Sequence, residues 1–328
     1  MELLDRRRFP FPAAVPLLLT ALLALPLAGC RRKETLVAVI PQTTAYTIWE
    51  AEHAGAQFAA AHQGFRVYWN APTSEDDIQQ QVAMIERVVE KKYPALILAP
   101  DQAVALMAPV EHALEKGVRT VVVVSPLALP PSANLAYIVN DDVASGRIAA
   151  LRMGKILGGH GRIAILGVPP ESLSALTMIH SFQTTLEEKF PAIVVAHRRF
   201  GSHNQNESRH IADQVLDSDP KLDGMFTVSS AASHGADAAL RARGLIGKVK
   251  LIGFEQTVGL ANLVRQGEID SLVAVDTYQM GYKAMQYLAR PPGSCPREIK
   301  LEPTLLTADN LDSPAAKALI NIDWSHEP

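Results

Sequence analysis

Short apolar runs alternate with segments whose apolar residues recur every three or four positions, and the rhythm holds from about residue 35 to residue 307. LVAVI (36–40) reads as a strand, and in TIWEAEHAGAQFAAAH the residues Ile48, Ala51, Gly55, Phe58 and Ala61 share one helical face. FRVYWN (65–70) is the next strand. SEDDIQQQVAMIERVVEKK then carries Ile78, Val82, Ile85 and Val89 on one side, with Ser74-x-x-Asp77 placed as a capping box. ALILAP (95–100), a helix around 103–116 and TVVVVS (120–125) continue the series. The segment NLAYIVNDDVASGRIAALRMGKIL is strand-like and then helix-like. Beyond it the alternation starts again: strands at 162–167, 192–198, 224–229, 250–254 and 271–276 are separated by helices near 173–189, 206–217, 232–243 and 257–266.

Strand and helix in strict alternation predict an α/β fold with parallel sheets, because each right-handed crossover returns a helix across the sheet. Val121 to Val124, apolar at consecutive positions, suit a strand covered on both faces. The series runs twice, so two doubly wound lobes are expected. Past Arg290, Pro291, Pro292, Pro296, Pro303 and Pro314 mark a loop, a further strand and a trailing segment whose last fifteen or so residues have no assignment.

The first thirty residues follow a different pattern. Arg6, Arg7 and Arg8 precede an almost uncharged stretch from Phe9 to Ala28, and small residues close it, which is the layout of an export signal. Pro10, Pro12, Pro16 and Pro26 fit a permanent membrane helix poorly. Leu27-Ala28-Gly29-Cys30 resembles a bacterial lipobox, in which cleavage leaves an acylated Cys30 at the new N-terminus; an ordinary signal with a coincidental cysteine is the alternative. Asp5-Arg6-Arg7-Arg8-Phe9 resembles a twin-arginine signal, so either export route is open. With Cys30 acylated, Cys295 in PPGSCP has no partner and reads as a loop thiol.

Composition narrows the function. Among 328 residues, 31 basic side chains balance 34 acidic ones for a formal charge of -3, which lacks the basic footprint of a nucleic-acid binder. There is no G-x-S-x-G, H-E-x-x-H, C-x-x-C or phosphate-loop pattern. Gly158-Gly159-His160-Gly161 precedes a strand and therefore cannot form a dinucleotide turn. His203 and His210 lack a convincing thiol or carboxylate set for a metal. No catalytic role, metal or cofactor is expected.

Several segments, in order and at matching spacing, resemble the sugar-type periplasmic solute-binding proteins of ABC importers, the ribose-binding-like group. They are Tyr46 and Trp49 opening the first helix before Ala54-Gly55-Ala56, the stretch ALILAPDQAVALMAPVEHALEKGVRTVVVVS, the crossover VNDDVASGRIA, and Ile252-Gly253-Phe254-Glu255. The resemblance spans residues 35 to 307 and implies a type I periplasmic binding protein fold, with the chain crossing three times between lobes near Asn140, Asp276 and Glu302. The implied divisions are a lipoprotein signal peptide at 1–29, an N-terminal lobe of 35–139 plus 277–301, a C-terminal lobe of 140–276 plus 302–312, and a tail at 313–328. Asn140, Asp141, Asp276 and Glu302 would form the hinge. The implied partners are a small sugar or related polar solute, an ABC permease in the membrane and the bilayer holding the lipid anchor, on the periplasmic or external face. A ligand-sensing receptor presenting its closed form to a histidine kinase is the alternative function.

Each cleft candidate has a second reading. Trp49 either stacks on a sugar ring or packs in the core, and Tyr46 stands beside it with the same choice. Glu255, where the family commonly has Asp, either accepts hydroxyl hydrogen bonds or caps a helix. Ser229 and Ser230 end a strand and open a helix, so they bind a ligand oxygen or cap. Asp276 is a ligand contact, a hinge residue or a cap, and His203 a ligand contact or a loop residue. Ser125 stands where family members often have Asp, and Pro126 where the following Arg would be; Leu176 replaces another frequent Arg and Ser229 an Asn. These replacements thin the set of groups that clamps ring hydroxyls, which makes ribose a doubtful ligand and leaves room for a less polar molecule.

Overall fold

The computed structural model describes residues 35–44, 47–74, 77–168, 170–201 and 204–322. The signal segment with Cys30, and the binding candidates Tyr46 and His203, lie outside the described residues. Among the described residues no helix is long and apolar enough to cross a membrane.

The first sheet gathers β1 (Thr35–Ile40), β2 (Phe65–Trp69), β3 (Ala95–Leu98), β4 (Arg119–Val124) and β5 (Leu135–Asn140), with β11 (Glu298–Leu301) returning from far along the chain. Its order is β11-β5-β4-β3-β1-β2, and every pairing is parallel. The central β3 is buried throughout while the edge strand β2 is half-exposed, as expected where helices cover both faces of the middle and solvent reaches the rim. The covering helices are α1 (Thr47–Gln63), α2 (Ile78–Glu90), α3 (Met107–Glu115) and α9 (Thr277–Leu288). The N-cap of α2 is Asp77, whose carboxylate accepts from the Gln80 N–H at 3.0 Å. Ser74 stands outside that helix, so the expected Ser-led capping box is corrected to a single Asp cap.

The second sheet repeats the plan. β6 (His160–Val168), β7 (Ala192–Phe200), β8 (Gly224–Thr227), β9 (Lys250–Phe254) and β10 (Ser271–Ala274) are parallel, and β12 (Thr304–Thr307) closes the edge antiparallel to β10, in the order β12-β10-β9-β8-β6-β7. Its helices are α4 (Asp142–Ile156), α5 (Leu173–Lys189), α6 (Gln205–Ser218), α7 (Ser230–Ala242) and α8 (Val258–Arg265). Phe182 on α5 stacks on Phe226 on β8 at 4.5 Å, both fully buried, and each such side chain contributes about 1.5–3 kcal/mol. The trailing segment forms α10 (Pro314–Ile320), capped by Ser313, with Ala316 and Ile320 buried against this lobe.

The chain passes from the first sheet to the second after Asn140, returns through Asp276 into α9, and passes again between β11 and β12 at Glu302. Asp141 caps α4 through its carboxylate, and its N–H donates to the Leu301 carbonyl at 2.9 Å, bonding the first crossing to the third. The second crossing is fixed differently. Thr277 Oγ1 donates to the Ile48 carbonyl at 3.0 Å, and α9 lies so close to α1 that a Cβ on Gly55 would overlap the Tyr278 carbonyl and one on Gly281 the Glu52 carbonyl. In the second lobe Gly146 on α4 meets the Met178 carbonyl of α5 in the same way. Gly55→Ala is therefore expected to lower stability by about 1–3 kcal/mol through overpacking; Gly55 has ordinary helical backbone, so Ala adds no backbone strain there. Chemical denaturation of wild type and variant measures the loss.

Candidate binding site

Parallel strands end with their carboxyl edges on one side of each sheet, and the loops that follow them are where open α/β sheets receive ligands. Here the loops of both sheets enclose one cavity of about 90 Å³. That is well beyond what a single water needs, so the space suits one small molecule.

From the first lobe come Trp49 at the start of α1, Val124 and Ser125 at the end of β4, and Asn140 at the end of β5. Trp49 is 3% exposed, and its indole N–H is buried with no hydrogen-bond partner. Val124 has φ of 66°, a left-handed backbone that is rare for a β-branched residue, and the following Ser125 N–H turns back to the Val123 carbonyl at 2.8 Å. Gln42 and Asp101 complete this side, and a side chain hidden beneath holds their loops: buried Gln81 donates to the Pro41 and Ala99 carbonyls at 3.2 and 2.9 Å and accepts from the Asp101 N–H at 3.1 Å.

The second lobe answers with Ser229, Ser230 and Glu255, together with Val228, Phe254 and Val275. Glu255 also has a left-handed backbone, φ 67°, and its Oε2 accepts from the Ser230 N–H at 3.0 Å. Ser229 Oγ accepts from the Ala232 N–H at 3.1 Å. Both residues thus serve the N-terminus of α7, where partial positive charge favours an acid, while also lining the cavity. A buried network fastens that helix start: the Ser233 hydroxyl bonds Thr227 Oγ1 and the Ser229 carbonyl, each at 2.8 Å, and accepts from the Phe254 N–H at 3.2 Å. Gln256 plays the part here that Gln81 plays opposite, exchanging bonds with the Val275 N–H and carbonyl at 3.0 and 2.6 Å.

Of the residues singled out in the sequence, Trp49, Ser125, Ser229, Ser230 and Glu255 come together around this cavity, and the hinge candidate Asn140 joins them. Asp276 does not. Its carboxylate turns to the Gln279 N–H at 2.9 Å as the cap of α9, and with Glu302 it lines a separate groove; the cavity receives its neighbour Val275 instead. Of the three readings of Asp276, its contacts match the cap. Leu176 is likewise outside the lining, which takes Ala175 and Met178 from α5. Gln42, Asp101 and the two buried glutamines escaped notice in the sequence. Gln81 does carry a signal, a polar residue four before Ile85 on the buried face of α2.

Two carboxyls near the site are held away from their ordinary ionisation. Glu52, one helical turn beyond Trp49, is wholly buried with neither oxygen bonded, and burial pushes it up to about 8. Asp142, at the start of α4, is pushed up to about 7 by burial, against the opposing effect of a hydrogen bond from Ser174.

Two α/β lobes, three crossings between them and a cavity walled by both are the layout of a periplasmic solute-binding protein. Residues 37–290 match the family model described as periplasmic binding protein domain, and the chain belongs to that family. It is similar to the D-allose-binding periplasmic protein of Escherichia coli, 23% identical over 257 residues that cover 76% of this chain and 82% of that protein. It is also similar to a xylitol-binding protein of Mycolicibacterium smegmatis, 25% identical over 215 residues covering 65% of this chain and 60% of the relative. Among solved structures, a carbohydrate-transporter solute-binding protein from Agrobacterium radiobacter in complex with D-arabinose superposes with a TM-score of 0.82 at 25% identity, over 88% of this chain and 100% of that one. A solute-binding protein from Agrobacterium vitis bound to α-D-tagatopyranose gives 0.83 at 23% identity, over 88% and 100%.

The raised carboxyls lower stability as pH rises, a loss opposed in part by His234, which burial pushes below its ordinary value. Below about pH 4.5 Glu52 carries its proton in both states. Between there and about pH 8 the unfolded chain ionises while the folded one retains the proton, so stability falls by about 1.4 kcal/mol per pH unit, and the loss is complete above 8. Asp142 adds a loss of the same sign between 3.8 and about 7. Urea denaturation at pH 5 and pH 7.5 should find the protein more stable at the lower value, with a smaller difference in Glu52→Gln.

Proposed function

We propose that this protein is the extracytoplasmic receptor of an ABC importer, capturing one small neutral carbohydrate or related polyol between its lobes and presenting the closed form to a membrane permease. The observation that carries the reading is a single cavity whose walls come from the strand ends of two different sheets. Such a site is walled by both lobes, so binding would draw them together, a hinge motion of known type. Asn140, Asp141, Asp276 and Glu302 lie at the crossings and would absorb it, the lobes being 35–139 with 277–301 and 140–276 with 302–312. The sugar-binding relatives and sugar-bound structural neighbours support a carbohydrate ligand. They also support a role without catalysis. The segment up to Gly29 would direct export, and diacylation at Cys30 would tether the mature domain, since one acyl chain alone holds a protein only marginally.

Calorimetric titration of residues 31–328 against neutral monosaccharides and polyols is expected to give one site per chain. Ser230→Ala and Asn140→Ala break no side-chain hydrogen bond to a described residue. Each should weaken binding about tenfold, as for one lost hydrogen bond, with the melting temperature unchanged. Failure of every such compound to bind, or turnover of one that does bind, would refute the reading. In the full chain, Cys30→Ser should abolish incorporation of radiolabelled fatty acid and release the protein from the membrane fraction.

A further inference from the structure

A second recess, of about 230 Å³, lies at the border of the lobes, and Asn140 lines both it and the shared cavity. One side belongs to the first lobe: Leu127 and Leu129 after β4, Tyr137 on β5, and Glu298 and Lys300 on β11. The other side is the start of α4, Asp142 and Val143, with Thr177 of α5. Asp142 opens α4 just past the first crossing, and Lys300 lies on β11 just before the third. The Asp142 carboxyl is buried, and its Oδ1 has no hydrogen-bond partner. Across the recess Lys300 Nζ pairs with Glu298 at 3.3 Å, and the Tyr137 hydroxyl donates to the Leu129 carbonyl at 2.6 Å.

We propose that Asp142 is a proton-operated latch on the hinge: with its proton it allows the lobes to sit together, and without it favours their parting, which brings water to the carboxylate and leaves Lys300 free to pair with it. The proposal rests on the hinge motion of the receptor reading. Rotation about the crossings moves α4 against β11, so a recess walled by both changes shape with it. An ionised carboxyl with an unbonded oxygen is costly where it is sealed, and that cost falls once it is solvated or paired. With the lobes together, burial pushes Asp142 up to about 7; the Ser174 hydroxyl and Lys300 act against burial, and Asp141 acts with it. On α5, beyond Ser174 and Thr177, the ionisable residues are His180, Glu187, Glu188 and Lys189. The strands touching α4 bring Lys250 at the start of β9 and Asp270 just before β10, where Asp270 accepts from Arg152 at 2.7 Å, near the opposite end of the helix. The sign follows from linkage. A carboxyl raised only with the lobes together holds its proton there, so that arrangement is favoured in acid. Its population relative to the parted form then falls by up to about tenfold per pH unit until about pH 7.

Val104, after β3, and Val258, at the start of α8, are exposed and follow strand ends of different lobes. Spin labels at Val104→Cys and Val258→Cys, with Cys295→Ser, therefore report the separation of the lobes in residues 31–328, which hold both sheets complete. Pulsed electron resonance without any sugar should show the fraction at the short separation falling by about fivefold or more between pH 5.5 and pH 8.0. Asp142→Asn, neutral at both values, should give one distribution throughout. Lys300→Met removes a cation that favours ionisation and should move the midpoint of the response upward by about half a pH unit or more; it carries the test if Asp142→Asn does not fold. A distribution that ignores pH in the labelled parent, a pH response that survives Asp142→Asn, or a midpoint that Lys300→Met leaves in place overturns the proposal. None of these outcomes touches sugar binding, which the calorimetry above decides separately.

Discussion

The contact on which the architecture turns is the bare-backbone crossing of α1 and α9. Helix α9 is the element the chain enters on its second passage between the lobes, and α1 is the element that carries Trp49 to the cavity. Glycine on each side, Gly55 and Gly281, lets carbonyl groups of the partner helix occupy the space a Cβ would fill, and the Thr277 hydroxyl fixes the register on Ile48. Any side chain there would push α9 outward and move the crossing at Asp276 with it. The position of a residue that lines the cavity and the position of a crossing between the lobes are thus one packing decision.

A second constraint acts at the strand ends. Among the described residues three non-glycine positions have left-handed backbones; Lys92 follows a helix, whereas Val124 and Glu255 both line the cavity, one in each lobe. Such conformations cost of order 1–3 kcal/mol and persist only where surrounding structure imposes them. The surroundings are visible: the Ser125 turn holds the first, and the Glu255 bonds from its N–H to Val273 and from Oε2 to Ser230 hold the second. Gln81 and Gln256, buried beneath the two walls, keep the adjoining loops from relaxing.

Much of this was legible in the chain because it depends on period and order. Runs such as TVVVVS reveal buried strands, alternation reveals the doubly wound lobes, and residues at strand ends before a helix, such as Ser229 and Glu255, are placed at the cavity by topology alone. What escaped depends on direction. Asp276 and Val275 are neighbours, and which one faces the cavity follows from the cap that Asp276 supplies to α9, a contest between two backbone demands that spacing does not resolve. Asn140 read as a hinge residue yet also opens onto the cavity, since a crossing strand necessarily runs along its edge. Glu52 lay unremarked on an amphipathic face where an acid is usually solvated.

A small ring held between strand ends of both lobes must touch groups from each. A crystal structure of residues 31–328 grown with the tightest-binding sugar tests this most directly. Ring density against Trp49, within hydrogen-bond reach of Ser125 and Asn140 from one lobe and Ser230 from the other, is the predicted result. Density confined to one lobe, or lodged in the groove lined by Asp276 and Glu302 with the shared cavity unchanged, would contradict it.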